Sequence, residues 1–475
     1  MDLPSAFNQQ ICELLGKEES DKLQVSLSTD SPVSIRINPE KLHNDVYLEQ
    51  EKINLERVPW SEHGYYLDER FTFTFDPLFH AGCYYVQEAS SMFVEQVIKQ
   101  YITSSATVLD LCAAPGGKST HLRSLLPDGS LLISNEVIRN RSYILAENII
   151  KWGHPDVVVT NNDPSDFQYL ENFFDVVVAD VPCSGEGMFR KDKHAISEWS
   201  TDNVNICWQR QRRIISDIWG SLKPGGILIY STCTYNTKEN EENIKWIADK
   251  FDAEILPVDI PDKWNITDNL AGEEFYVYRF LPHLVKGEGF FLAVLRKPVD
   301  KTFSPSSNKQ IKKKKQGSHK SPVIPKDLNN WLLHPDNYLL EVKDTYIRAV
   351  AKGHSEMLST LDSLKIVHSG ITIAEIKGKD IVPHHSLAMS NEINRGSFPQ
   401  VEITYEQAIA YLRKETIILS PTIPRGYVLV TYKNMPLGFV KNIGNRANNL
   451  YPGEWKIRSG YLPEKRQGLE SVLSI

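Results

Sequence analysis

Between residues 107 and 230, short apolar runs alternate with stretches of helical periodicity. This alternation constrains the fold most, because continuous apolar strands separated by helices are typical of a parallel sheet buried on both faces. The apolar runs lie at 107–111, 130–135, 155–160, 174–179 and 226–230. Helices are predicted at 118–126, 139–152 and 201–222. We therefore predict an α/β fold with a mainly parallel sheet.

The regions on either side carry other signals. A helix is predicted near 5–15 and a strand at 33–38, whereas Lys223 to Gly226 predicts a turn that opens the last strand. Residues 298–322, rich in Ser, Lys and Pro with four lysines at 312–315, are typical of a flexible linker. We predict five segments: an N-terminal α/β region at 1–75, the main α/β domain at 76–297, the basic linker at 298–322, a small α/β intermediate domain at 323–400 and a β-rich domain at 401–475. The intermediate domain has a predicted helix at 327–333. The β-rich domain has a predicted helix at 406–415 and predicted strands at 426–432 and 437–441.

The composition is that of an ordinary globular chain, with 41% hydrophobic and 24% charged residues among 475. No apolar run approaches the roughly 18 residues that a membrane span needs, and the first residues do not resemble a secretory signal. The 6 cysteines are scattered, without a CxxC pair or a His/Cys cluster at metal spacing. We therefore expect no membrane partner, no metal site and a reduced, cytoplasmic protein.

Charge is distributed unevenly along the chain, whose overall net charge is −7. Residues 1–296 carry 27 Lys and Arg against 44 Asp and Glu, whereas 297–322 carry 8 against 1. Residues 425–466 hold 8 basic residues and 2 acidic ones. An acidic half joined to a basic end is expected where one region binds a phosphate backbone, and a solvated surface with a basic linker explains the charges equally well.

Ligands of an open parallel sheet bind beyond the carboxyl ends of its strands, and the unusual residues of this sequence follow those ends. Glu136 follows the second strand, about 20 residues after a glycine turn, where a carboxylate suits a ribose diol. Asp163 and Asp180 follow two further strands. The first strand runs into a turn of small residues that lets the backbone approach a ligand: Cys112, Ala113, Ala114, Pro115, Gly116, Gly117 and Lys118.

A single acid at a strand end is most often a helix cap, but four suitable strand ends in register favour a nucleoside pocket. The phosphate-binding patterns GxxxxGK(S/T) and GxGxxG are absent. The sequence therefore favours S-adenosylmethionine over NAD or ATP as the cofactor.

Two cysteines follow strand ends on the same predicted rim. Cys183 lies in the polar turn after the fourth strand and Cys233 in the turn after the fifth, where a thiolate can be stabilised by N–H groups. The other cysteines are predicted to be packing or structural residues: Cys12, Cys83, Cys112 and Cys207.

Pyrimidine chemistry gives such thiols a use. Addition of a thiolate at C6 of cytosine makes C5 nucleophilic enough to accept a methyl group. An acid such as Asp180 could assist at N3 and the exocyclic amine. Methylation of the amine would instead need a Pro-Pro-aromatic turn after the acid, whereas this chain has Val-Pro-Cys. Carbon is therefore the favoured acceptor.

At these residues the sequence resembles the RNA cytosine-5 methyltransferase family of Nol/Nop/Sun type. The matching stretches are VLDLCAAPGGKSTHL at 108–122, DVVVADVPCSGEGMFRKD at 175–192, GGILIYSTCTYNTKENEENI at 225–244, YYVQEASSM at 84–92 and RFLPHLVKGEGFFLAVLRK at 279–297. The GEGMFR extension and PHHSLAMS at 383–390 resemble the bacterial RsmF/YebU-like branch. The resemblance covers most of 78–297.

The resemblance implies a Rossmann-like class I methyltransferase domain, an N-terminal RNA-recognition-like region and a C-terminal PUA-like domain. It implies that Cys233 is the nucleophile, that Cys183 promotes product release, and that Arg141 lies near the cofactor with 112–118, Glu136, Asp163 and Asp180. The basic end then provides the candidate RNA contacts Lys433, Arg446, Lys456 and Arg458, next to aromatic residues that are more often core.

The expected partner is RNA, and the RsmF-like branch implies small-subunit (16S) ribosomal RNA or a 30S particle, bound by a monomer. Transfer RNA is the nearest alternative. A silent RNA-binding assembly factor has no need for two rim thiols. A DNA cytosine methyltransferase would use the Pro-Cys thiol as its nucleophile and leave the second thiol without a purpose.

Overall fold

The structure is a computed structural model that describes residues 3–42, 55–299, 324–462 and 468–472. The four lysines at 312–315 and the linker from residue 300 onward lie outside the described residues. Within the described ranges, every helix is too short or too polar to cross a membrane.

The N-terminal region packs helices against a small antiparallel sheet of order β2-β1-β3. Gly16, with a φ of 78°, separates its first two helices. The sheet includes a strand that begins after the predicted boundary at residue 75, and that boundary stays a prediction. The elements are α1 Ser5–Leu15, α2 Lys17–Leu27, β1 Val33–Ile37, β2 Gly64–Leu67, α3 Pro77–His80, β3 Tyr84–Val86 and α4 Val94–Tyr101.

The predicted mainly parallel sheet forms the centre of the molecule. Its five parallel strands have the order β6-β5-β4-β7-β8, and β11 and β10 extend the β8 edge antiparallel. Short strand β9 also pairs with β11. The elements are β4 Thr107–Asp110, α5 Gly117–Leu125, β5 Leu131–Asn135, α6 Arg139–Trp152, β6 Val157–Thr160, β7 Phe174–Asp180, α7 Lys193–Glu198, α8 Thr201–Ile218, β8 Leu222–Thr232, α9 Glu241–Phe251, β9 Glu254–Leu256, β10 Tyr278–Phe280 and β11 Phe290–Arg296.

Side chains alternate between two cores on the two faces of this sheet. Val108 and Leu132 lie in one core, whereas their neighbours Leu109 and Ile133 lie in the other. This alternation explains why the strands read as continuous apolar runs: both faces are covered. The prediction of a turn from Lys223 to Gly226 was wrong. These residues belong to β8, which begins at Leu222, and the pairing of β8 with β7 contains a register shift there.

The intermediate region is a four-stranded antiparallel sheet of order β12-β13-β15-β16. One further strand of this region, β14, leaves it and pairs antiparallel with β6 at the edge of the central sheet. The elements are β12 Tyr338–Lys343, β13 Tyr346–Ala351, α10 Ser355–Thr360, β14 Ile366–Ser369, β15 Ile371–Lys377, β16 Asp380–Pro383 and α11 His385–Met389, preceded by a 3-10 helix at Lys326–Trp331.

The C-terminal region is β-rich, as predicted, with the sheet order β17-β18-β19-β20. It shares one hydrophobic core with the N-terminal region, in which Ile35 and Tyr65 lie with Val428 and Leu437. The elements are β17 Gln400–Glu402, α12 Tyr405–Leu412, β18 Gly426–Tyr432, β19 Met435–Asn442, β20 Ala447–Asn449 and α13 Leu469–Val472.

Candidate active site

The turn of small residues after β4 is held in place by helix α6. Arg141 Nη2 donates to the carbonyl of Ala114 at 2.8 Å, and Asn148 Nδ2 donates to the carbonyl of Pro115 at 2.8 Å. Both bonds use backbone carbonyls, so they fix the path of the turn and leave its small side chains uninvolved. Arg141 therefore touches the predicted cofactor turn directly.

Glu136 and Asp163, which follow β5 and β6, have different surroundings. Glu136 is buried, accepts a hydrogen bond from the amide of Ile138 at 2.8 Å and lies 3.5 Å from Arg141 Nη1. The Asp163 carboxylate caps a short 3-10 helix through Ser165 and forms an ion pair with Arg213 at 3.2 Å. Burial opposes the charge of Asp163, but these bonds outweigh it and lower the pKa of the carboxyl.

Asp180, at the end of β7, is bound by two groups. Lys118 Nζ, at the start of α5, donates to Oδ2 at 2.8 Å, and Ser231 Oγ donates to Oδ1 at 2.7 Å. Burial alone would lower the pKa of Lys118, but the charge of Asp180 and its hydrogen bond raise it overall. Lys118 therefore keeps its own positive charge at the strand ends, where Asp180 balances it and where it also interacts with Cys233.

Cys183 and Cys233 are brought together from two different turns. Their sulfur atoms are 3.1 Å apart, and the amide of Cys233 donates to the sulfur of Cys183 at 3.3 Å. The hydrogen bond with Cys233 and burial raise the pKa of the Cys183 thiol. Both thiols are free and partly exposed.

The charges of three carboxylates converge on the turn. Burial, followed by the charges of Asp180, Asp110 and Glu136, raises the pKa of the Cys112 thiol. A thiol in this state is protonated and inert, in keeping with the structural role predicted for Cys112. The turn, Glu136 and Asp180 therefore share one site, together with the adjoining pair of thiols.

Asp110 is a member of this site that the sequence argument missed. It is 0% exposed, and Ser119 Oγ donates to its Oδ2 at 2.6 Å. No described residue donates to its Oδ1. Burial raises the pKa of Asp110 to about 7. The available signal was an acid at the end of an otherwise apolar run, next to the turn.

The four candidate RNA contacts lie at the surface of the C-terminal region. Arg446, Lys456 and Arg458 are exposed, and Lys433 is partly exposed at 3.8 Å from Glu470. Of the neighbouring aromatic residues, Tyr432 and Tyr451 are buried in the core.

Three family descriptions match successive parts of the chain. The 16S rRNA methyltransferase RsmB/F family matches residues 101–296, the N-terminal domain of 16S rRNA methyltransferase RsmF matches residues 3–89, and the methyltransferase RsmF PUA domain matches residues 398–457. These matches confirm the predicted fold class, with its methyltransferase, N-terminal and PUA-like parts.

Several proteins that are similar to the chain over most of its length carry the name ribosomal RNA small subunit methyltransferase F. The protein from Pectobacterium carotovorum subsp. carotovorum is 30% identical, and the match covers 88% of each chain. The protein from Escherichia coli strain SE11 is 29% identical, and the match covers 97% of each chain.

Solved structures agree with this fold. A methyltransferase homolog protein from Pyrococcus horikoshii has a TM-score of 0.53 and 30% identity over 62% of this chain and 95% of its own. NSun6 from Pyrococcus horikoshii, solved with SFG, shares the fold with a TM-score of 0.53 and 22% identity over 62% of this chain and 99% of its own. The predicted resemblance is thus confirmed, and this chain belongs to the ribosomal RNA small subunit methyltransferase F family.

Proposed function

We propose that this chain transfers a methyl group from S-adenosylmethionine to C5 of cytosine in RNA, with small-subunit (16S) ribosomal RNA as substrate. The observation that carries the proposal is the pair of sulfur atoms, 3.1 Å apart, on turns that follow two neighbouring parallel strands. Two free thiols at neighbouring strand ends suit a reaction in which one sulfur adds to the pyrimidine and the other assists its release. A cytoplasmic location, where thiols stay reduced, belongs to the same proposal.

The residues at the strand ends suit S-adenosylmethionine. The small turn at 112–118 offers backbone groups, Glu136 offers a carboxylate for ribose hydroxyls, and the free Oδ1 of Asp110 offers a buried acceptor beside them. Asp163 enters this set only if its carboxylate leaves Arg213. When bound, the cofactor supplies the sulfonium methyl group that an activated C5 receives.

Cys233 is the proposed nucleophile. Its thiolate forms a bond from sulfur to C6, which moves an electron pair of the ring towards C5. Asp180 is proposed to accept a hydrogen bond from the exocyclic amine, since each of its oxygens keeps a second acceptor position.

Cys183 is proposed to act in product release. After C5 carries the methyl group, a base accepts the C5 proton. The electron pair of the broken C–H bond re-forms the C5–C6 double bond, and Cys233 leaves C6 as a thiolate. The Cys183 sulfur lies beside the sulfur that departs, so it is placed to take part in this step.

We propose that the exposed basic residues Arg446, Lys456 and Arg458, and the partly exposed Lys433, contact the RNA backbone.

The test compares Cys183→Ala, Cys233→Ala and the control Cys207→Ala, which removes a buried thiol of α8. Each protein is incubated with S-adenosylmethionine and with 16S rRNA, 30S particles, transfer RNA or DNA. Protein–nucleic acid adducts that resist denaturation and C5-methylcytosine are both measured. We expect Cys183→Ala to accumulate an adduct on 16S rRNA, Cys233→Ala to give neither adduct nor product, and Cys207→Ala to behave as the unmodified chain.

Other results would overturn particular parts of the proposal. Adduct in Cys233→Ala and none in Cys183→Ala would exchange the two roles. Methylation of transfer RNA but not of ribosomal RNA would show that transfer RNA is the substrate. Better methylation of DNA than of RNA would show that the enzyme is a DNA methyltransferase. No product on any nucleic acid with the unmodified chain would favour a silent RNA-binding protein.

A further inference from the structure

Two carboxylates that the proposed reaction does not use are buried close to the thiols. Glu186 lies in the turn after Cys183, Glu239 lies in the segment after Cys233, and both side chains are 0% exposed. Burying a carboxylate is unfavourable unless donors satisfy it. Two of them beside one site therefore point to a role that depends on their bonds.

Glu186 holds the backbone of the Cys233 segment. Its Oε2 accepts hydrogen bonds from the amides of Tyr235 at 2.8 Å and Asn236 at 3.0 Å. Its Oε1 accepts from Gln10 Nε2 at 2.9 Å, Trp199 Nε1 at 3.0 Å and Asn236 Nδ2 at 3.1 Å. A carboxylate on the Cys183 side thus fixes the main chain just beyond Cys233.

Glu239 makes the reverse connection. Its Oε2 accepts from the amide of Ser184 at 3.0 Å and from Gln211 Nε2 at 2.7 Å, and its Oε1 accepts from Asn236 Nδ2 at 2.8 Å. Ser184 is the residue next to Cys183. A carboxylate on the Cys233 side therefore fixes the main chain at Cys183, and the Asn236 amide joins the two carboxylates.

We propose that Glu186 and Glu239 are positioning residues that form a reciprocal clamp, in which each thiol segment supplies the carboxylate that holds the backbone of the other. The clamp fixes the separation of the two sulfur atoms. Two further bonds close the same seam, from the amide of Gly187 to the carbonyl of Cys233 at 2.9 Å and between the Ser184 and Thr234 hydroxyls at 3.0 Å. The catalytic purpose of the clamp rests on the proposed function, whereas its geometry does not.

The N-terminal region completes the clamp. Gln10, in helix α1, is 176 residues from Glu186 along the chain and donates to it directly. Phe7 of the same helix packs edge-on against Phe189, with ring centroids 5.0 Å apart, and against Trp199 at 5.7 Å. Helix α1 thus supports the turn that carries Glu186 from outside the central sheet.

The test measures the thiol separation without RNA or cofactor. Phenylarsine oxide binds two adjacent thiols by forming two As–S bonds, while its oxygen leaves with both thiol protons as water. We expect tight binding by the unmodified chain and loss of tight binding in Cys183→Ala and Cys233→Ala. Glu186→Gln and Glu239→Gln should weaken binding about 10- to 100-fold, because an amide NH₂ then faces N–H donors in place of an oxygen.

A matched control is Glu95→Gln, which alters a carboxylate that is 1% exposed and whose partners include His121 and Lys99. We expect it to bind the arsenical as the unmodified chain does. Unchanged binding in both Glu186→Gln and Glu239→Gln would overturn the clamp, as would failure of the unmodified chain to bind. If either glutamine variant does not fold, the corresponding aspartate variant, which keeps the charge but shortens the side chain, is measured by the same criterion.

Methylation assays then separate the clamp from the proposed function. On 16S rRNA, the two glutamine variants should lower kcat while leaving the KM for RNA unchanged, since both carboxylates are buried. An unchanged kcat together with an unchanged arsenical affinity would contradict the clamp. If the two glutamine variants bind the arsenical more weakly but the unmodified chain methylates no RNA, the clamp is supported and the proposed function is overturned.

Discussion

Asp110 ends strand β4 inside the protein, and among the described residues only Ser119 donates a hydrogen bond to its side chain. Burial raises its pKa to about 7 from a reference of 3.8. The folded protein therefore binds a proton at this carboxyl more readily than the unfolded chain does. The resulting stabilisation is fully present below about pH 4, decreases as the pH rises through 7, and is absent above it.

We expect Asp110→Asn to remove this pH dependence, because an amide carries no charge to bury. Between pH 5 and pH 8 the unmodified chain should lose about 2 to 3 kcal/mol of unfolding free energy relative to the variant. Thermal unfolding across this range measures the difference. Asp128→Asn, at an exposed position, is the control and should show a constant difference. A constant difference for Asp110→Asn as well would contradict the buried-carboxyl explanation.

The convergence of the two thiols was predictable, because the strand ends of a parallel sheet meet at one edge and that rule needs only local patterns. The supports of these residues were not predictable in the same way. Gln10 and Glu186 meet across 176 residues, and nothing near either residue in the sequence indicates the contact. Asp163 was open to two interpretations, a helix cap and a cofactor contact. The structure shows the cap through Ser165, and the ion pair with Arg213 had no signal in the sequence.

Helix α6 and strand β18 have the bounds predicted from the sequence, because hydrophobic periodicity reports directly on which face is buried. Strand β14 could not be predicted as part of the central sheet. It lies about 200 residues after β6 in the chain and pairs with it in the structure. Such pairing is not tied to sequence distance, because the unpaired amides and carbonyls of an edge strand can form hydrogen bonds with any strand that reaches them. The intermediate region is thereby tied to the methyltransferase sheet by main-chain bonds.

The turn that carries Glu186 packs closely against the start of β11. A Cβ atom added at Gly187 would lie 2.5 Å from the carbonyl oxygen of Gly289, which is backbone and cannot rotate away. We expect Gly187→Ala to lower the unfolding free energy by about 1 to 3 kcal/mol and to reduce methylation. Denaturant unfolding and the methylation assay measure the two effects.

Gly220→Ala is the control, because its added Cβ meets no heavy atom within 4 Å in the described part of the chain, apart from its neighbours in sequence and its own helix backbone. It should change the unfolding free energy by less than about 0.5 kcal/mol. Equal stability of the two variants would show that the turn can move away from β11 at no cost.

At the scale of the whole molecule, the first sheet and the C-terminal region share one hydrophobic core. Asp76 joins them further: it accepts hydrogen bonds from the amides of Leu78 and Leu469 and from the hydroxyl of Tyr84. Burial raises the pKa of Asp76. The N-terminal and PUA-like regions are therefore expected to lose structure together.

Leu437→Ala tests this coupling, because Leu437 is 1% exposed in the shared core. The cavity should cost about 2 to 5 kcal/mol. Hydrogen exchange should then accelerate in both β19 and β2. Ile247→Ala, in a core of the central sheet that contains neither β2 nor the C-terminal strands, is the control and should leave β2 protected. Faster exchange confined to the C-terminal strands would mean that the N-terminal region is stable alone.

The shared core also constrains the order in which the chain acquires its structure during synthesis. Protein domains generally fold as they leave the ribosome, with the N-terminal one first. Here, apolar residues of the first sheet such as Ile35 and Tyr65 receive part of their covering from Val428 and Leu437, almost 400 residues later. The first sheet is therefore completed only after the strands of the C-terminal region have been made, and until then these apolar residues stay partly uncovered.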